Sequence, residues 1–513
     1  MDQLQPAPQE TPETSLRKGR LGVVGIVFFV VAAAAPLVGM TGAVPVAIVL
    51  GNGAAVPGAY VAVGITLILF SVGYAAMSQQ VTNTGAFFAY VGRGLGIGPG
   101  VGSAFVSLVA YIAVQLAIYG FFGGLATFQF NDQFGIDWPW YVWSLIAWAI
   151  VTALSLLSVD VGAKVLGVFM SLEVLCLLIM ALAVFFTGGG PDGFDFAASF
   201  APSNVLVGGL TGSAGIALAF AFASFIGFEA TAIYGEESRD PKRTVPVATY
   251  VAVTLITVLF GLSTFAIVSA LGSGDVVGQV VAIAGEDLGN PAAVLFTVAD
   301  NFVGDWLGAW AGTLVSTTME WLVLSSLFAG LLAFQNSAAR YFYSMGRAGV
   351  LPTALDRVNK TGAPMVATLT TSVVAGAVIV IFWVTDKDPV TNMFFWFSGL
   401  AVLAIVLVEI LVSVAVIAFF RRTRVDTRVW QTVIAPVLAI IGLAVGMYLL
   451  MSRFGLLAGT VQADVDPTAQ SWGLNTLGWF LVLFPFGAFV VGWLVGLLRK
   501  GEENEDAIKD LVS

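Results

Sequence analysis

Long apolar runs alternate with short polar stretches along nearly the whole chain. Twelve runs are long enough to cross about 30 Å of hydrocarbon as a helix. They cover 21–50, 57–77, 101–128, 140–157, 165–186, 208–234, 247–271, 317–343, 365–384, 394–420, 433–451 and 477–498. The pattern predicts an all-α polytopic membrane protein with 12 transmembrane helices. The longest interval, 272–306, reads as a loop with a short interfacial helix around 291–300.

The cations test this division. With the N-terminus placed in the cytoplasm, 19 of the 21 Lys and Arg fall on the inner side, and only Lys387 and Arg453 fall outside. Loops on the cytoplasmic face carry the excess of Lys and Arg, and an error of one helix would scramble that alternation. Both ends are therefore expected inside a cytoplasmic membrane. The outer intervals carry carboxylates instead, among them Asp132, Asp192, Asp275, Glu286 and Asp305.

Composition narrows the class. The 513 residues are 58% hydrophobic and 10% charged, with net charge −10 and mean hydropathy +0.94. Soluble domains carry roughly 25% charged residues, so the solvent for this chain is a bilayer. No basic patch stands apart from the loops, which argues against a nucleic-acid partner. The single cysteine, Cys176, excludes an internal disulfide, and the lack of histidine excludes histidine-based metal sites and bases. No Gly-x-x-x-x-Gly-Lys-Ser/Thr sequence exists, so ATP-driven work by this chain is unsupported. Residues 1–16 read as a disordered cytoplasmic tail and 501–513 as an acidic one, and the first run as a signal-anchor helix. No soluble catalytic domain, cofactor or metal is expected; the chain is not expected to be an enzyme.

Two runs are interrupted. The first holds Pro36-Leu37-Val38-Gly39-Met40-Thr41-Gly42 and then Pro45; the sixth holds Ser224-Phe225-Ile226-Gly227-Phe228-Glu229. Backbone groups freed at mid-membrane persist where they line a cavity. There, N–H groups can hold a carboxylate, and carbonyls can hold an ammonium or a cation. Breaks in corresponding helices, one and six, point to an inverted-repeat transporter. Glycine that merely lets helices approach is the competing explanation.

Four carboxylates lie inside apolar runs: Glu173, Glu229, Glu320 and Glu409. Each costs roughly 2.5–3.5 kcal/mol near mid-membrane. Glu229 follows a break directly and is a candidate proton site or gate, against a structural bond to freed backbone. Glu173 is either a coupling carboxylate or the partner of a polar neighbour such as Gln115. Tyr111, Gln115 and Tyr119 recur every four residues on one face of the third run, as a cavity lining or as helix packing. Phe222, Phe225 and Phe228 surround the second break as candidate gates or as packing.

These residues resemble a known family. The glycine-rich first run, Phe225-Ile226-Gly227-Phe228-Glu229, and the segment from Glu236-Glu237-Ser238-Arg239-Asp240-Pro241-Lys242-Arg243 to Pro246 resemble the amino acid–polyamine–organocation permeases. Ala339 to Pro352, continuing to Asn359-Lys360-Thr361-Gly362-Ala363-Pro364, is similar to that family's helix-eight exit loop. Thr84-Gly85-Ala86-Phe87-Phe88-Ala89-Tyr90 is similar to its loop between helices two and three.

The resemblance implies a five-plus-five inverted repeat over 17–190 and 191–425, with helices 11 and 12 over 426–500 outside it. It implies alternating access by a carrier of amino acids or related amines. Val38, Gly39, Met40, Thr41 and Gly42 would hold the substrate carboxylate. Carbonyls of Phe222, Ala223, Ser224, Phe225 and Ile226, with Gly227 at the break, would hold its amine. Here Gly39-Met40-Thr41-Gly42 stands where many members have Gly-Ser/Thr-Gly, and Glu173 lies about where some carry a lysine. Proton-coupled amino acid uptake is the expected function, with a proton as coupling ion. An amine or polyamine permease and a substrate exchanger are the alternatives, and a channel or a sensor is a further one from a different class. Oligomeric state is not legible.

Overall fold

In the computed structural model, which describes residues 22–81, 86–157, 163–229, 231, 240–360 and 362–498, the chain is helical almost throughout. The 1–16 and 501–513 tails, Thr84-Gly85 and the 236–239 motif lie outside the described residues. In order come α1 (Val23–Ala34), α2 (36–52), α3 (Val56–Ser78), α4 (Ala86–Leu95), α5 (Ile97–Phe134), α6 (Trp140–Leu157), α7 (Ala163–Thr187) and α8 (Ala214–Phe225). Then follow α9 (Pro241–Leu271), α10 (Val276–Ala284), α11 (Ala292–Leu307), α12 (Ala309–Arg347), α13 (Met365–Val384), α14 (Phe395–Thr423), α15 (Ala435–Ala458) and α16 (Thr476–Leu498).

Among the described residues, ten continuous helical stretches are long and apolar enough to cross a membrane. One of them, Pro36–Ser78, is 43 residues long. At 1.5 Å per residue that is about twice a hydrocarbon core, so it must hold two crossings. The backbone divides it at Gly51 (φ −104°, ψ −113°) and Gly53 (φ 59°, ψ −126°). α1 and α2 then form the first span, broken within, and α3 forms the second. The sixth apolar run is present as the 12 residues of α8. The helical stretch before it, Pro202–Thr211, meets α8 at 115° and does not lengthen it. Each of the twelve apolar runs is thus met by helix.

The interval expected as a loop is different. It folds into α10 and α11, and α11 buries Val294, Leu295, Val298, Ala299 and Val303. An apolar stripe at helical spacing needs a partner; α11 packs against α7 and α12 rather than lying on an interface.

Close packing in the core rests on small residues. A Cβ on Gly94 would clash with the Ala415 carbonyl oxygen, and one on Gly215 with that of Leu449. Such contacts let helix backbones approach where lipid supplies no hydrophobic drive between helices.

Candidate functional site

The first interruption sits just ahead of the glycine pair. α1 stops at Ala34, Ala35 adopts the left-handed conformation (φ 43°, ψ 68°), and helix resumes at Pro36, a residue suited to a first turn because it has no N–H to satisfy. The Val38 and Gly39 N–H groups donate back to the Ala35 carbonyl at 2.9 and 3.3 Å. Gly39–Ala43 continues as a π-helical turn, a local widening frequent at functional sites. Val38 to Gly42 therefore lie in helix, about one turn beyond the break. The Thr41 hydroxyl donates to the Leu37 carbonyl at 2.8 Å. Met40 is fully buried.

At the start of α2, the Glu173 carboxyl of α7 lies against the Leu37 N–H and the Ser326 hydroxyl of α12. A carboxylate at a helix N-terminus meets unpaired donors and the positive end of the dipole. Glu173 is 3% exposed, and its Oε2 has no hydrogen-bond partner. Its polar neighbours are thus Leu37 and Ser326. Gln115, the alternative partner, turns to α12: its amide donates to Gln335 Oε1 at 2.5 Å. Gln335 in turn donates to the Thr368 carbonyl at 3.0 Å and Ser372 Oγ at 2.8 Å.

The second interruption falls where the sequence places it. α8 ends at Phe225; Ile226 is extended in ψ (φ −57°, ψ 129°) and Gly227 takes φ 117°, a value L-residues rarely adopt. Glu229 fills the gap. Its Oε2 accepts from the Gly227 N–H at 2.8 Å, its Oε1 accepts from the Tyr111 hydroxyl at 3.2 Å, and its own carbonyl accepts from Tyr74 at 2.9 Å. The Ile226 N–H turns to Ala223 and the Phe228 N–H to Phe225, one residue short of helical pairing. The carbonyls of Phe222 and Ser224 therefore lose their in-helix donors. The donors at this break are satisfied by a carboxyl, and acceptors are left over. That imbalance suits a cation or an ammonium.

The two interrupted helices touch close to their breaks. A Cβ on Gly39 would lie 3.0 Å from Ser224 Oγ, so α2 and α8 touch at that pair. Ser224 Oγ is also 3.0 Å from the Tyr60 hydroxyl. On the other side of α2, a Cβ on Gly42 would lie 2.9 Å from Phe121, which stacks on Phe394 at 4.9 Å. Of the phenylalanines at the second break, Phe225 packs edge-on against Phe260 and Phe228 against Phe70. Phe222 turns away and lines an apolar cavity of about 460 Å³ with α3 and α15.

Several neighbours of Glu229 carry no signature in the sequence. The Tyr341 ring lies 5.2 Å from Tyr111, and Phe88 and Tyr90 of α4 cover Tyr341 and Tyr74. Glu409 on α14 is 2% exposed and lies in the field of Glu229, with Oε2 unpartnered. Among the described residues, no Lys or Arg is among the groups acting on Glu173, Glu229 or Glu409. Glu320 lies apart, accepting from Gln133 at 2.9 Å.

A bundle of spanning helices, two of them interrupted side by side around buried carboxyls, defines the membrane-carrier class rather than an enzyme. The chain belongs to the amino acid permease family, whose model matches residues 21–491. It is similar to a histidine permease of Lactococcus lactis subsp. cremoris (strain MG1363), 24% identical over 62% of this chain and 63% of the relative. A lysine-specific permease of the same strain is 29% identical over 47% and 46%. A vacuolar cationic amino acid transporter 2 of Arabidopsis thaliana is 26% identical over 61% and 47%. The chain spans less than two thirds of the length of each of these relatives.

Proposed function

We propose that this protein carries amino acids across the cytoplasmic membrane by alternating access, in proton-coupled uptake, with both chain ends in the cytoplasm. The observation that carries the proposal is the contact of the two interrupted helices at Gly39 and Ser224, each within about a turn of its break, with the Phe222 and Ser224 carbonyls left without helical donors. The α-amine sits against those carbonyls, in the stretch Phe222 to Gly227. The α-carboxylate sits at the helix that begins at Pro36 and carries Val38, Gly39, Met40, Thr41 and Gly42. The proposed repeats are 17–190 and 191–425, each bearing one break, with 426–500 outside them.

Cationic amino acids suit this site best. Two buried carboxyls, Glu173 and Glu229, bond backbone N–H groups at the two breaks and a third, Glu409, lies in the field of Glu229, with no Lys or Arg among the described groups acting on them; relatives are named for histidine, lysine and cationic amino acids. Glu229 is the proposed proton carrier, because it bonds both the second break, at Gly227, and α5, through Tyr111. Glu173 is the proposed second coupling group, since it touches the start of α2 and also α12. Protonation would loosen its hold on the Leu37 N–H and free that helix end for substrate.

Radiolabelled uptake into proteoliposomes, across lysine, arginine, histidine, neutral amino acids and polyamines, tests this. Saturable uptake of a cationic amino acid, stimulated by an inward proton gradient, is the expected result. Uptake only into vesicles preloaded with unlabelled substrate identifies an exchanger. Uptake of polyamines in preference to amino acids overturns the substrate assignment.

A further inference from the structure

Arg453 is one of the two cations that the charge pattern leaves on the outer side, and transport chemistry makes no use of it. It sits five residues before the end of α15 and is 7% exposed. Its guanidinium meets no carboxylate in its hydrogen bonds. Nε donates to the Thr211 carbonyl at 3.0 Å, and Nη2 donates to the same oxygen. Nη1 donates to the carbonyls of Pro467, Thr468 and Gln470 at 2.8, 3.1 and 3.2 Å. A nearly buried cation is thus solvated entirely by main chain, from two segments far apart in sequence.

Thr211 closes the turn just before α8, the helix that ends at the Phe225–Gly227 break. The contact continues down the two helices. A Cβ on Gly215 would lie 2.6 Å from Leu449 Cβ, and one on Gly446 would lie 2.8 Å from the Phe222 ring. The contacts pair 211 with 453, 215 with 449 and 222 with 446, so the positions rise on one helix as they fall on the other. This is an antiparallel seam along the whole of α8. At its end, the 459–475 connection is held to α15 by Trp472 N–H donating to Ser452 O at 2.9 Å.

We infer that Arg453 is a positioning residue that fastens the start of α8 to α15, so that the half-helix leading to the second break moves only together with α15. The inference rests on the transport reading for its role in the cycle, while the fastening itself is independent of any substrate. Backbone carbonyls cannot be lost by substitution, so the guanidinium is the part that can be removed. Lysine supplies a point charge with three donors instead of a planar fork, and it reaches fewer of the four carbonyls.

The test is distance measurement between spin labels on the full chain in nanodiscs. Labels are placed at Leu210, beside Thr211, and at Tyr448 on α15, both exposed; Cys176 is buried and serves as the unlabelled control. With Arg453 present, a single narrow distribution is expected, unchanged by saturating lysine or histidine. Arg453→Met is expected to add a second, broader population, and Arg453→Lys a smaller one. An unchanged distribution in Arg453→Met overturns the inference. So does a Leu210–Tyr448 distance that shifts on adding lysine or histidine to the protein with Arg453 intact, which remains decisive if the Met variant fails to fold. A second pair, Leu210 with Trp383 on α13, reports whether α8 moves against the rest of the bundle. No movement there with any substrate counts against the transport reading and leaves the fastening decided by the first pair. In uptake, Arg453→Met is expected to lower the maximal rate roughly tenfold with substrate affinity nearly unchanged, because the fastening acts on the moving helix and touches no substrate.

Discussion

Glu229 holds a bond on each of its carboxyl oxygens. Its carboxyl satisfies the Gly227 N–H that the φ 117° conformation turns out of the helix, and it binds Tyr111 across to α5. Glutamine keeps an acceptor for Gly227 and loses the titration. Glu229→Gln should therefore fold, bind substrate and give uptake that no longer varies with pH; an unchanged pH profile in vesicles would exclude Glu229 as the proton carrier. Tyr111→Phe removes only the 3.2 Å bond, and it should weaken pH dependence less than Glu229→Gln does. Gly39 has no room beside Ser224, so Gly39→Leu should wedge α2 and α8 apart next to their breaks and abolish substrate binding in detergent. Isothermal titration with lysine or histidine checks it, and retained affinity would move the site elsewhere.

Among elements, the interruptions differ in origin. The second was legible because Gly227, with Phe225 and Phe228 close by and Glu229 two residues on, marks a helix that cannot continue in hydrocarbon. The first was legible only approximately. Pro36 and two glycines signal a break, but the strained residue is Ala35, which nothing in its side chain singles out. Its left-handed conformation is held by the Val38 and Gly39 bonds to its carbonyl. Ala35→Val places a β-branched side chain at φ 43°, and should destabilise the protein by roughly 1–3 kcal/mol. Thermal unfolding in detergent measures this, and an unchanged midpoint would mean that α1 rejoins α2 at no cost. The Gln115–Gln335 pair belongs to another element set, tying α5 to α12 and α13. Gln335→Leu strands the Gln115 amide in a dry interior, for about 1–3 kcal/mol. It should lower stability while leaving the pH profile of uptake intact.

At the scale of the whole molecule, the apolar periodicity and the Lys/Arg asymmetry were enough to divide the chain into its twelve runs. Bilayer thickness fixes the length of a crossing, and that constraint acts on sequence directly. Tertiary neighbours are not so constrained. Tyr111 and Gln115 lie one turn apart on α5, yet one reaches Glu229 and the other Gln335. Glu173 meets Leu37 and Ser326 because three distant helices converge there, and no local pattern encodes that convergence. Glu409 and Tyr341 joined the Glu229 cluster for the same reason. In the 272–306 interval the sequence showed only a short interfacial helix around 291–300, because α10 and α11 are short, carboxylates stand between and within them, and the buried face of α11 is visible only against α7 and α12.

The central claim is that substrate held at the two breaks moves with a proton carried by Glu229. Its most direct test compares the wild-type chain with Glu229→Gln in proteoliposomes, measuring accumulation of labelled lysine and histidine with and without an inward proton gradient. Gradient-driven accumulation above equilibrium by the wild type, with Glu229→Gln reaching only equilibration, is the predicted result. Equal gradient-driven accumulation by both proteins, or none by the folded wild type, would contradict it.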